Sequence, residues 1–265
     1  MNNNPEERLV IPAKYNLYKV YLELGKSGKA DIVKADILEN HSDSRYASIL
    51  NNPNLQLEKD KNSPESLYEG LYIKHEAQDY EEVINKCNEY IELFEGEAIA
   101  PKFEFLKASA KGRLFGFEEY KKAINYIALN YPNSPEGKQA ERLIQEAIPK
   151  LTSKDFEDDI SSKSAKVIYQ FDNVTIEDIN EFVKTLDEVI KDVQYYELYS
   201  SIDVYSKNTT FVVVHGLKSI NGAKGFSELL EKNKNKITKD YFAVSSKNYS
   251  IIQIHKNLET YLELQ

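Results

Sequence analysis

Residues 1–151 predict paired helices stacked as a repeat array, and residues 165–265 predict an α+β domain, with a linker at 152–164 between them. Three observations lead there. Prolines that can open helices recur through the first part: Pro64, Pro101 and Pro135 stand 37 and 34 residues apart, close to the length of a helix–turn–helix repeat. Beyond Ser164 the apolar period changes from 3.6 to 2, as strands require. Between these regions, Thr152 to Ser164 sets Asp155, Glu157, Asp158 and Asp159 among serines and lysines, the composition of a connecting segment.

Each element has a local reason. Pro12, Pro64, Pro101 and Pro135 each precede an apolar-periodic run, where the missing proline N–H costs no hydrogen bond. Asn62-Ser63-Pro64-Glu65 recurs as Asn133-Ser134-Pro135-Glu136, placing a capping Ser before a first turn that carries a Glu. Three units follow a tetratricopeptide-like pattern of apolar, small and aromatic residues around a turn. In the first, Leu17, Tyr18 and Tyr21 precede Gly25-Lys26-Ser27-Gly28 and Ala30. In the second, Leu67, Gly70 and Leu71 precede Gln78-Asp79-Tyr80, Val83 and Cys87. The third runs Phe105, Ala108 and Gly112, then Gly116-Phe117, Tyr120, Ala123 and Ile127. Small residues suit the close helix crossings, and the aromatic after the turn fills the gap between units. Leu50 to Asn62 is an insertion that reads as a solvated loop.

In the second domain, Val167–Phe171 reads as a strand and Thr175 with Asp178 as a capping box. They open a helix bearing Ile176, Ile179, Phe182, Val183, Leu186, Val189 and Ile190. Leu198–Tyr205 and Thr209–His215 form a hairpin through Ser206-Lys207-Asn208. A helix follows from Ile220, a fourth strand spans Tyr241–Ser245, and the chain ends in a helix carrying Ile251, Ile254, Leu258, Tyr261 and Leu262. The order β-α-β-β-α-β is that of a ferredoxin-like split βαβ with a helical tail.

Charge and chemistry narrow the function. A net charge of −9 argues against a basic nucleic-acid binder, and no run of about 18–20 apolar residues is present to cross a bilayer. No secretory signal opens the chain. The only cysteine, Cys87, sits among Val83, Ile84, Tyr90 and Ile91, as on a buried helix face. His41, His75, His215 and His255 have no helical metal spacing. Gly216 to Lys224 lacks the glycine and hydroxyl placement of a phosphate loop and reads as a strand-to-helix turn. Asp155–Asp159 lacks the mid-loop Gly and terminal Glu of a calcium loop. Lys232, Lys234, Lys236 and Lys239 suit a helix C-terminus. No catalytic residue, metal or cofactor is expected, and the chain reads as a non-enzymatic interaction protein. With 19 Tyr, 11 Phe and no Trp, tyrosines supply the contact area. Tyr15, Tyr18, Tyr21, Tyr68 and Tyr72, on first helices that line the concave face of such arrays, are the candidate partner-binding residues. The alternative is a small-molecule-sensing, ACT-like regulatory module attached to a tetratricopeptide adaptor; Phe171-Asp172-Asn173-Val174-Thr175, after the first strand, lacks the glycine that reading favours.

Ser44–Leu50 with Asn52-Pro53, Ser63–Tyr68, Pro101–Ala108, Asn125–Ser134 and Tyr241–Tyr249 together resemble the C-terminal part of the PorW/SprE tetratricopeptide lipoproteins of the type IX secretion and gliding-motility machinery. The resemblance implies a non-enzymatic scaffold linking the translocon to ring and motor components at the periplasmic face of the outer membrane. Its partners would be other secretion proteins, not nucleic acid, with no membrane insertion by this segment. It also implies that this chain, without signal or lipid-bearing cysteine, is a fragment of a longer lipoprotein.

Overall fold

The computed structural model describes residues 5–51, 63–192, 197–232 and 237–265. Among these, the chain is a mixed structure of helices and one four-stranded antiparallel sheet. The helical part comprises α1 (Pro5–Glu23), α2 (Ser27–Asn40), α3 (Arg45–Asn51), α4 (Pro64–Glu76), α5 (Tyr80–Leu93), α6 (Ala100–Phe115), α7 (Phe117–Asn130) and α8 (Pro135–Glu146). Neighbours in sequence pack in pairs, and α6 also packs on α4 as α8 does on α6.

The repeated cap forms as expected. Ser63 Oγ accepts from the Ser66 N–H at 3.1 Å and Ser134 Oγ from the Gly137 N–H at 2.9 Å, each with Pro in the first turn. The aromatics after the turns, Tyr80 and Phe117, are buried. At Gly112 an added Cβ would lie 2.9 Å from the Tyr120 Cβ, so this crossing needs a residue without a side chain. Around Gly70 the space is open, and there Leu71 supplies the buried contact. Pro12 departs from expectation: it lies inside α1, which already begins at Pro5, and its buried ring offsets the hydrogen bond that it cannot donate. The insertion expected at 50–62 falls, from residue 52 onward, outside the described residues.

The sheet contains β1 (Ala165–Asp172), β2 (Tyr199–Val204), β3 (Thr209–Leu217) and β4 (Tyr241–Ser245) in the spatial order β2-β3-β1-β4. Tyr169 lies opposite Val212 on β3 and Tyr241 on β4. Strand alternation gives the sheet two cores. Ala165, Val167, Tyr169 and Phe171 face α9 (Ile176–Asp192) and α10 (Ile220–Lys232), against Ile179, Leu186, Val189 and Phe226. Ile168, Phe211, Val213 and Val244 face α11 (Ser246–His255) and α12 (Leu258–Leu262), against Tyr249, Ile252, Leu258 and Tyr261. Ile176, expected on the apolar face of α9, is exposed. The single terminal helix expected from the sequence is two helices, because Lys256 takes a left-handed conformation (φ 54°) and ends α11. Of the expected lysine run, Lys234 and Lys236 lie outside the described residues.

The segment 152–164 contains no helix or strand, yet it is tightly held. Asn248, buried in α11, accepts from the Glu157 N–H at 2.9 Å and donates to the Glu157 carbonyl at 2.8 Å. Asp159 accepts from Asn248 Nδ2 at 2.7 Å, from the Ser245 N–H at 2.9 Å and from the Tyr261 hydroxyl at 2.5 Å. Phe156 packs edge-on to Tyr261, adding an apolar contact to this strap.

Candidate functional site

The helical and sheet parts meet through two of the helix–turn–helix corners. At the α4–α5 corner Gln78 adopts φ 63° and points its amide at the outer edge of β2. Gln78 Nε2 donates to the Ile202 carbonyl at 2.6 Å, and the Val204 N–H donates to Gln78 Oε1 at 2.8 Å. One side-chain amide thereby makes the two bonds that a neighbouring strand would make. Beside it, Lys207 pairs with Glu81 at 2.6 Å. At the α6–α7 corner Gly116 has φ 90°, and a Cβ there would lie 2.9 Å from Lys256 Cγ and 3.1 Å from the Ile254 carbonyl oxygen. Phe117 packs edge-on to His255 at 5.3 Å. Both corners, one from each of two successive helix pairs, thus face the sheet half.

Between them lies a cleft of about 470 Å³ lined by α4, the Gln78 corner, α5, α6, β2 and α11. On the helical side are His75, Glu76, Tyr80 and Arg113; on the sheet side are Asp203, Tyr249, Gln253 and Ile254. His75 Nε2 is 2.9 Å from the Ser109 hydroxyl; its buried Nδ1 has no hydrogen bond among the described residues, the Glu76 carboxylate standing 3.5 Å away, and burial lowers its pKa. Burial likewise pushes the Lys256 ammonium down to about 7, and Arg113 adds to the effect.

A chain of polar side chains runs from the sheet face to this cleft. Lys166 Nζ lies 2.6 Å from His215 Nδ1, and His215 Nε2 lies 2.7 Å from Ser201 Oγ. Ser201 donates to Asp203 at 2.9 Å, and Tyr249, which receives from Gln253 at 2.9 Å, donates to Asp203 at 2.6 Å. Burial lowers the pKa of both Lys166 and His215 and raises that of Tyr249. With Lys166 charged, every donor in the chain points toward Asp203, and the Ser201 proton is directed at a carboxylate. That order differs from a serine nucleophile handing its proton to histidine. What the chain does is fasten β1, β2, β3 and α11 together by matched donors and acceptors.

The five tyrosines expected to bind partners fall into two groups. Tyr15 packs on Tyr46, with ring centroids 5.0 Å apart, and lies 6.1 Å from Tyr18; both border the core around Ile37 and Ala47. Tyr21 is half-buried, with the Lys29 ammonium 5.8 Å above its ring. Tyr68 is half-buried against Phe103. Tyr72, 49% exposed, continues the row between Tyr68 and His75 along α4, 6.5 Å from each. Tyr72 alone of the five presents a largely exposed face.

Sequence did not mark Gln78, Arg113, Asp203 and Lys256 as site residues, since they are drawn together from segments far apart along the chain. Cys87 is buried on α5 and its thiol is pushed up to about 12 by burial. Gly216 has φ 91° and lies inside β3, where a Cβ would meet the Glu197 carbonyl oxygen at 2.3 Å; the expected strand-to-helix turn is confined to Lys218-Ser219, between β3 and α10. The left-handed position in the turn after β1 is taken by Asn173 (φ 54°) instead of a glycine. Among the described residues no group of His, Cys, Asp and Glu is placed to hold a metal, and no helix is long and apolar enough to cross a membrane. Comparison with family models and with curated proteins returned no match.

Proposed function

We propose that the helix pairs are a tetratricopeptide-like array joined to a ferredoxin-like unit, and that the chain is a non-enzymatic interaction scaffold of the PorW/SprE kind. It joins translocon to ring and motor components of a type IX secretion and gliding-motility apparatus at the periplasmic face of the outer membrane. The observation that carries the architectural reading is the packing of first helix on first helix, α4 on α6 and α6 on α8, beside the usual pairing of sequence neighbours. Such stacking leaves one side of the first helices for a ligand, and there Tyr68 and Tyr72 form an aromatic row. The strand order β2-β3-β1-β4 supports the ferredoxin-like unit.

The segments that carry the family resemblance contain capping serines: Ser63, Ser134 and Ser245 each accept from a backbone N–H three residues on, as does Ser44 from Ala47 at 3.1 Å. The likeness therefore concerns architecture more than a partner surface. A co-purification assay with purified ring and translocon components tests the function. Retention by the wild-type chain, weakened severalfold by Tyr72→Ala with unchanged circular dichroism, is expected. A folded chain that retains none of these components overturns the proposal.

A further inference from the structure

We infer that the cleft between the helical and sheet parts is a binding site for a carboxylate-bearing ligand, held by Arg113 and the Tyr80 hydroxyl. Arg113 lies in the last turn of α6 and lines the cleft, yet it makes no ion pair or hydrogen bond among the described residues. The carboxylates that share the cleft do not quench it. Asp203 already receives the Ser201 and Tyr249 hydroxyls, and Lys166 acts on its charge from behind. Glu76 is exposed at the rim, 3.5 Å from the His75 ring. Tyr80 has a buried ring but makes no hydrogen bond through its hydroxyl among the described residues, and it lies within the electrostatic reach of Arg113. A second cation is coupled to Arg113: the Lys256 ammonium donates to Gln253 Oε1 at 3.2 Å and lies 4.8 Å over the Tyr205 ring, has no carboxylate within ion-pairing distance among the described residues, and repels the guanidinium.

Among the described residues the cleft therefore has an unpaired planar cation and an unpaired hydroxyl donor, with a second ammonium nearby that no carboxylate pairs. Guanidinium and carboxylate match as a two-bond fork, and a hydroxyl beside it adds a third donor. A doubly charged phosphate suits the cleft less, because Asp203 and Glu76 stand across it. The volume of about 470 Å³ admits a small organic acid or the acidic end of a peptide. The inference stands independently of the scaffold reading, since it uses none of the exposed tyrosines. Both halves line the cleft, so an occupant would also strengthen their docking.

The test is a titration of the whole chain, followed by amide NMR at fixed ionic strength and pH. The probes are N-acetylglycine, glutarate, an acetylated peptide ending in a free carboxylate, the same peptide amidated, and inorganic phosphate. Saturable shifts at the Gln78, Tyr80 and Val204 amides with the carboxylates are expected. Arg113→Gln should weaken the best carboxylate about tenfold to a hundredfold. Tyr80→Phe, which keeps the ring in place, should weaken it severalfold, and Arg142→Gln on α8 should leave it unchanged. Preference for the free-ended peptide over N-acetylglycine and glutarate assigns the carboxylate to a protein terminus, and the reverse order to a free acid. No saturable shift with any carboxylate, phosphate bound in preference to all of them, or equal affinity in a folded Arg113→Gln protein overturns the inference.

Discussion

Replacing Gln78 removes the only side chain among the described residues that closes the Ile202–Val204 edge of β2, and its cost can be worked from the structure. Gln78→Ala deletes two hydrogen bonds, at 2.6 and 2.8 Å, and leaves a strand carbonyl and N–H without those partners in a half-buried junction. A hydrogen bond contributes about 0.5–1.5 kcal/mol net, and groups left unpaired add to the loss. The expected destabilisation is therefore about 2–3 kcal/mol. At roughly 2–4 °C per kcal/mol for a chain of this size, the thermal midpoint should fall by about 5–10 °C. The backbone gives a second, opposing effect. Gln78 sits at φ 63°, which Gly adopts freely, so Gln78→Gly should lose about 1 kcal/mol less than Gln78→Ala. Gln78→Glu keeps an acceptor for the Val204 N–H but opposes a carboxylate to the Ile202 carbonyl, and should be no better than Ala. Urea unfolding gives the ranking. Amide exchange gives the location: the Val204 N–H should exchange about ten to a hundred times faster in Gln78→Ala. A loss below about 0.5 kcal/mol with unchanged Val204 protection would refute the edge-closing role. Gly performing no better than Ala would refute the backbone part.

Three further outcomes are expected. Gly137→Ala should cost more than about 2 kcal/mol in urea unfolding, because its Cβ would fall 1.8 Å from the Tyr131 carbonyl oxygen and the α8 start must shift. Asn248→Ala should cost about 2–4 kcal/mol and make 152–164 the first site cut in limited proteolysis, since Glu157 and Asp159 both lose their α11 partner. Lys256→Met should stabilise the protein by about 2–4 kcal/mol at pH 6, measured by urea unfolding across pH. The folded ammonium titrates near 7 against an ordinary 10.5, so the unfolded chain binds the extra proton between those values. Wild-type stability from this group accordingly rises with pH from about 7 to 10.5, and the advantage of Met should close over that range.

Local features of the fold were legible in the sequence. Ser63-Pro64 and Ser134-Pro135 cap and open α4 and α8, and Ile220 and Tyr241 begin α10 and β4 at the expected residues. For the two caps the deciding interaction lies within three residues, from the Ser66 and Gly137 N–H groups to the serine hydroxyls. Pro12 misled because a helix already begun can absorb a proline whose ring is buried. The tail breaks at Lys256, which is left-handed and whose stem lies against Gly116, a neighbour far back in the chain. The junction was illegible for the same reason: Gln78 meets Ile202 across 124 positions, and Asp159 meets Tyr261 across 102. Turn composition marks Gln78 as a corner residue but carries no sign of a strand edge on the other side. Of the five tyrosines singled out, Tyr15, Tyr18 and Tyr68 border core clusters, since an aromatic at a helix-packing spacing fills the core before it reaches solvent, while Tyr21 is half-buried beneath Lys29.

The sheet has two outer strands, and each is finished by side chains. Gln78 closes β2, while on β4 the Ala243 carbonyl receives the Tyr261 hydroxyl and the Ser245 N–H is held by Asp159. The β2 stopper is borrowed from the helical half, whereas the β4 stopper is carried by the sheet half and its strap. A fragment cut near residue 152 would therefore keep one blunt edge and bare the other, a ready template for pairing with its own copies. Within the intact chain, the helical half serves its neighbour as a built-in guard against self-association, a duty fulfilled largely by a single amide.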